Sequence, residues 1–367
     1  MKVKNKKRLA TVCGMLFCLL LGYVFRGFFP AAGRLMENSA LFSAAMMMPE
    51  GGAELARELY FSGGKAVTLQ VVPPMSREEN PTAPPPDNHD DAPKPEETAA
   101  PAPVIPEANR MPIQAEKIGH AGQNYENIWL QNRTKHHTVD IKKELSLPLD
   151  FKIEKNGKPQ VLIVHTHTTE GFEMYDRGHY DKTASSRTTE EAKNITRVGA
   201  AITASLKTKG IEAIHDTTIH DYPSYNGAYD RSRVTIQSLL KKHPTIRVVI
   251  DVHRDAITRD NGVKVKPVAT VNGRQAAQIM IVTGCDDDGT LKFPDWERNL
   301  RFAVRLQQHA ETLYPGLARP VSFAVKRYNM DLNHGSLLVE FGSEANTLAE
   351  AVYSGELFAD CLSKMTE

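Results

Sequence analysis

The chain has 367 residues, with 45 basic against 44 acidic side chains and four cysteines. A formal net charge of +1 offers no electrostatic footprint for nucleic acid or another polyanion. Four cysteines are too few for a disulfide scaffold; Cys13 and Cys18 fall in an apolar run, and Cys285 and Cys361, in no CxxC spacing, could pair only in an oxidising compartment.

Residues 1–8 carry Lys2, Lys4, Lys6, Lys7 and Arg8 and no acid, and form a basic cytoplasmic tail. The run from Leu9 to Pro30 is apolar apart from Arg26, which lies near one end and can reach the interface. A bilayer span takes about 17–25 apolar residues and keeps its basic flank in the cytoplasm. The pattern predicts a single transmembrane anchor over 9–30, with the rest of the chain outside. The rival is a cleaved signal peptide, with small residues at Ala31–Ala32 and Ala44–Ala45; it puts the chain on the same side. Residues 31–72 read as a juxtamembrane stalk. The stretch 73–110, rich in Pro, Glu, Asp and Ala around Pro84-Pro85-Pro86, cannot bury enough apolar surface to offset its ordering entropy. It reads as an extended, disordered linker.

A folded domain is predicted over 111–367. Val161–Val164, Ile211–Ile214, Ile246–Val252, Gln278–Thr283 and Ser336–Glu340 read as buried strands. Between them, Ile195, Val198, Ile202 and Leu206 recur at helical spacing and stop at Gly210. Tyr229–Leu240, Trp296–Leu313 and Thr347–Leu362 read as further helices. This alternation predicts an α/β domain, a mixed sheet flanked by helices on both faces. In such sheets functional groups gather at strand C-terminal ends.

Three strand ends carry chemistry. Val161–Val164 runs into His165-Thr166-His167-Thr168-Thr169-Glu170. A period of 2 would turn both imidazoles to one side, and imidazole with carboxylate is the usual ligand set of a catalytic zinc. Alone, the pattern equally describes a turn with hydrogen-bonded histidines. The second end is Asp251-Val252-His253-Arg254-Asp255, where Asp251 or Asp255 could orient the imidazole and Arg254 could steady charge or form a surface pair. The third is Leu337-Leu338-Val339-Glu340-Phe341-Gly342, a carboxylate closing an apolar strand, which suits a general acid or base if it is enclosed.

These stretches, together with His215-Asp216-Thr217-Thr218-Ile219-His220-Asp221-Tyr222-Pro223, resemble the stage II sporulation protein P family over roughly residues 120–360. The catalytic domain of that family is related to the zinc-dependent N-acetylmuramoyl-L-alanine amidases. The resemblance implies Zn2+ held by two histidines and a glutamate, with another glutamate as acid/base. Carried over, it points to His165 or His167 and to His253 as imidazole ligands, and to Glu340 as the catalytic glutamate. Glu170 is preferred as the third ligand, with Glu190 or Glu191 as alternatives. The resemblance further implies hydrolysis of the amide between muramic acid and L-alanine in peptidoglycan, and endopeptidase cleavage of cross-linked stem peptides. It implies work beside a lytic transglycosylase and a polytopic membrane partner, stage II sporulation proteins D and M, at the engulfing septal membrane. The competing expectations are another extracytoplasmic zinc hydrolase, a deacetylase or peptidase, and a non-catalytic wall-binding scaffold.

Overall fold

The computed structural model describes residues 102–366. The predicted basic tail, anchor, stalk and most of the linker lie outside the described residues. Among those described, no helix is long and apolar enough to cross a membrane. Ile105 is already buried, and a 3-10 turn at Glu107–Asn109 leads into β1 (Arg110–Glu116). Next comes the hairpin of β2 (Gln123–Tyr125) and β3 (Ile128–Asn132). Helix α1 (Ile141–Ser146) has its start held by the Asp140 carboxylate, which accepts from Lys143 N.

The remaining elements interleave single helices with single strands and runs of strands. In chain order they are β4 (Val161–Val164), β5 (His179–Asp181), α2 (Thr196–Thr208), β6 (Ala213–His215) and α3 (Ala228–Lys242). Then come β7 (Val248–Asp255), β8 (Lys264–Val271), β9 (Arg274–Ala277), β10 (Ile279–Gly284) and α4 (Trp296–Leu313). β11 (Val321–Ala324), β12 (Ser336–Ser343) and α5 (Leu348–Ser363) complete the domain. Eight strands form a mixed sheet in the order β2-β3-β11-β10-β12-β7-β4-β6, and β5-β1-β8-β9 form a smaller one.

Alternation along the central strands fills both faces of the large sheet. Val161, Ile163, Ile250, Val252, Val339 and Phe341 join one core with Val198, Ile202 and Leu206 of α2, Phe302 and Leu306 of α4, and Leu357 and Phe358 of α5. Leu162, Val164 and Val249 point the other way, onto Ile236 of α3. Full burial of such a side chain contributes about 1.5–3 kcal/mol, so the face carrying three helices dominates the packing. A domain buried on both faces of its sheet reads as short continuous apolar runs, which is why these strands are visible in the sequence.

The small sheet is not among the elements that the sequence pattern predicts. β8 carries Lys264, Lys266 and Pro267, which hide its alternation, and Lys266 is buried only because Glu350 (2.9 Å) and Asp176 (3.0 Å) pair with it. The turn into β9 is Asn272-Gly273, both with positive φ (51° and 75°), the local conformation that an Asn-Gly pair favours. Cys285 and Cys361 are both free and buried, and Cys361 donates to Leu357 O within α5.

Candidate active site

The strand β4 ends at Val164, and the turn beyond it decides the fate of the two histidines. Thr166 bends the chain: its backbone N and its hydroxyl both donate to the Asp251 carboxylate, at 2.8 and 2.6 Å. From there a turn leads to Glu170, so the strand period no longer applies and His165 and His167 part. His165 stays on the side of α2. Its Nδ1 is 3.1 Å from Val252 O, its Nε2 is 2.9 Å from His215 Nε2, and it is fully buried. Gly199 of α2 makes room, since a Cβ there would lie 2.6 Å from His165 Nε2 and 2.5 Å from His215 Nε2. Burial and the neighbouring His215 pull the His165 pKa down to about 3. His165 therefore belongs to the fold's interior, and the expectation that both imidazoles face one site is corrected by the turn at Thr166.

His167 enters the other side. Its ring stacks on Tyr225 (centroids 4.3 Å, 9°) and meets the His253 ring edge to face at 5.3 Å. His253, two residues beyond Asp251 on β7, projects from the same face as Asp251. Its Nε2 lies 2.9 Å from Asp251 Oδ1 and its Nδ1 lies 3.6 Å from Glu170 Oε2. Burial would raise the Asp251 carboxyl, but His253 and Thr166 outweigh it and hold it below the usual range. An ionised Asp251 beside Nε2 fixes the ring so that Nδ1 faces Glu170. Glu340 of β12 is directly opposite His253 in the parallel ladder and is 1% exposed.

Glu170 is the third member. It is buried; its Oε2 accepts from Arg254 N at 3.0 Å, and Arg187 approaches its Oε1 at 3.6 Å. Glu190 and Glu191 are exposed on the turn before α2, outside this cluster, and Glu190 pairs with Lys193. Arg254 does not face His253, because neighbours on a strand point to opposite sides. Its Nε donates to Gly171 O and its Nη2 to Ser186 O and Oγ, all at 3.1 Å. Arg254 thus clamps the loop that carries Glu170, and Asp255 pairs with Arg319 at 2.7 Å.

Several side chains around the cluster are not among the candidates that the sequence singles out. Asp221 accepts from Thr169 N and Oγ1 and from Arg187 Nη1 (2.9 Å), and lies 3.9 Å from His167 Nδ1. Arg187 also covers the Tyr225 ring at 4.7 Å. Tyr229 lies parallel to His253 at 6.4 Å and touches Tyr328 at 5.2 Å. A signal for Asp221 and Tyr225 is present in His220-Asp221-Tyr222-Pro223-Ser224-Tyr225, which overlaps a family stretch but lacks a strand end to mark it.

Two imidazoles and two carboxylates at the C-terminal ends of β4, β7 and β12 fit a borderline divalent metal. The fit has a direct sign: His167 Nδ1 is buried without a hydrogen-bond partner among the described residues. Burial first, then His253 and Arg187, hold the His167 pKa well below its usual value, so the ring is neutral, the form that ligates.

The family model described as stage II sporulation protein P matches residues 86–363. The chain belongs to the stage II sporulation protein P family. A curated member, stage II sporulation protein P of Bacillus subtilis strain 168, is 29% identical over 219 residues, 57% of this chain and 51% of the relative. The matched part thus spans about half of that relative's length. Among solved structures, the N-acetylmuramyl-L-alanine amidase Ami1 from Mycobacterium smegmatis overlaps 59% of this chain and 96% of its own, with 13% identity and a TM-score of 0.33. An N-acetylmuramoyl-L-alanine amidase from Clostridium difficile 630 overlaps 57% and 95%, with 14% identity and a TM-score of 0.32.

Proposed function

We propose that this family member is a zinc-dependent peptidoglycan hydrolase that cleaves the amide between N-acetylmuramic acid and L-alanine. The observation that carries the reading is the meeting of His167, Glu170 and His253 beside Glu340 at the C-terminal ends of the neighbouring strands β4, β7 and β12. His167, Glu170 and His253 would hold the metal. Zinc, when bound, supplies a Lewis acid at the scissile carbonyl. Glu340 takes the proton of the attacking water and returns it to the leaving amine of L-alanine. Asp251 keeps the His253 imidazole oriented through the transfer, and stacking on Tyr225 holds that of His167. Tyr225 and Tyr229 give the site an aromatic wall that limits water around the histidines.

The same reading supplies a setting. The basic-then-apolar N-terminus supports a single-pass anchor with the domain outside the cytoplasm. Membership in the family supports work in sporulation, on septal wall material and with stage II sporulation proteins D and M, and cross-link endopeptidase activity belongs to the same proposal.

The test is digestion of purified peptidoglycan by the full chain in detergent, with the products read by mass spectrometry and Glu340→Gln run in parallel. Free stem peptides that begin with L-alanine, and absent with Glu340→Gln, support the amidase. Glycans that lose only acetyl groups would make the protein a deacetylase. Untouched wall, with a folded protein that binds it, would make it a scaffold.

A further inference from the structure

At the other end of β10 stands a second group of donors that the proposed hydrolysis does not use. His137, in the loop between β3 and α1, places Nε2 2.8 Å from Asp287 Oδ1. Cys285 comes directly after β10, and an imidazole nitrogen of His137, Cys285 Sγ and a carboxylate oxygen of Asp287 all lie within 4.8 Å of one another. Met280 is opposite Glu340 in the antiparallel β10–β12 pair, and Cys285 is five residues further along. At about 3.3 Å per residue, that puts this group roughly 16 Å from Glu340, at the opposite end of the strands.

The Asp286 carbonyl is 3.2 Å from His137 Nε2, and the Ala324 carbonyl is 3.5 Å from Cys285 Sγ. A carboxylate, the Asp286 carbonyl, a sulfur and an imidazole nitrogen thus share one spot, while the Ala324 carbonyl also accepts from Cys285 N at 3.0 Å. Trp296 and Phe323 press on the His137 ring at 4.7 and 6.3 Å and hold it there. Side-chain exposures of 21% for His137 and 19% for Asp287 leave a path for an ion.

We infer that His137, Cys285 and Asp287 form a second zinc site, with three protein donors and the fourth position left to water. Thiolate, imidazole and carboxylate are all ordinary zinc donors. A tetrahedral site with bonds of about 2.0–2.3 Å keeps its donors about 3.3–3.8 Å apart, a range that the observed separations, 2.8 Å for His137–Asp287 and up to 4.8 Å for the rest, bracket. Such an ion ties the loop after β3 to the loop after β10 and fastens the β2–β3 hairpin to the sheet.

The experiment exploits the thiolate. The other proposed site has no sulfur donor, so a thiolate-to-cobalt charge-transfer band reports this one only. The full chain carrying Cys13→Ser and Cys18→Ser is stripped of metal in detergent and titrated with Co2+. A near-ultraviolet band complete by two equivalents of Co2+, complete by one in His167→Ala, and retained in Cys361→Ser, is expected. It disappears in Cys285→Ser, and His137→Asn weakens the binding at least tenfold. Absence of the band in folded protein, or its survival in Cys285→Ser, overturns the site. Should Cys285→Ser fail to fold, His137→Asn decides alone: unchanged cobalt affinity there sinks the assignment.

Discussion

Glu340 and His253 face each other across the β12–β7 ladder, the last regular pair before β12 bulges. The bulge lies between Glu340 and Ser343, where Gly342 has φ 71°. A device of this kind re-aims a strand end beside a site. Replacing Glu340 with Gln keeps the shape and removes the proposed proton acceptor. Hydrolysis should fall by about 10²–10⁴-fold, the usual worth of a positioned acid/base, with the melting temperature and bound zinc retained. Muropeptide release measured against thermal unfolding of the same sample checks this.

Gly342→Ala should be severe for a different reason. A Cβ there would lie 2.4 Å from Asn346 Oδ1 and 2.8 Å from the Ala277 Cβ, on a backbone that L side chains rarely adopt. Strain of this type costs about 1–3 kcal/mol. Urea unfolding should show a loss in that range, and activity should drop with it because Glu340 loses its aim.

His165 and His167 should separate cleanly on substitution. His167→Ala removes a proposed ligand, so zinc per chain should fall by one while the fold persists. His165→Ala opens a void beneath α2 and breaks the contacts to Val252 O and His215. Zinc content should hold and stability should fall. Metal analysis beside urea denaturation reads both, and loss of zinc in His165→Ala alone would reverse the assignment.

Gly199→Ala inverts a familiar expectation. In a helix, Ala is better than Gly by up to about 1 kcal/mol. Here the added methyl would press on His165 and His215, and overpacking of this kind costs about 1–3 kcal/mol. Net destabilisation is expected, relieved in the Gly199→Ala, His215→Ala double variant. A double-mutant cycle in urea measures the coupling.

The buried histidines also set a pH limit. His165 falls to about 3, chiefly through burial and His215, while an unfolded histidine titrates near 6.5. His215 itself is lowered by burial. Around His165 the charged or titratable groups are His215, His253 and Asp251, and His220 touches its carbonyl. Below pH 6.5 the unfolded chain binds protons that the folded chain refuses, so stability is full above 6.5 and declines from there towards pH 3. Each such histidine adds a slope of up to about 1.4 kcal/mol per pH unit. Urea midpoints between pH 7 and 5 should drop, and drop less steeply in His165→Asn.

The central strands are legible in the sequence because both faces of the sheet are buried and each strand is a short apolar run. The helices are legible from their spacing: α2 begins at Thr196 and α4 spans Trp296–Leu313. The small sheet is not, because a buried Lys266 and Pro267 break the period of β8 and only distant Glu350 and Asp176 make that lysine tolerable. In the site, His253, Glu170 and Glu340 can be read from apolar strands ending in polar groups. Asp221, Arg187 and the tyrosines cannot, since each reaches the cluster from a part of the chain whose path is set by tertiary contacts. Nor does spacing tell apart the two histidines of His165-Thr166-His167; the hydrogen bonds of Thr166 to Asp251 do.

The bend at Thr166 bears on how variants of this chain should be scored. On the proposed function, the three letters His-Thr-His encode two separate instructions, one for assembly of the interior and one for chemistry. A screen that scores growth or wall digestion alone would rank substitutions at 165 and 167 as equals. Paired with a readout of soluble yield, the same screen would split them, and the dead but well-expressed class would outline the reactive surface.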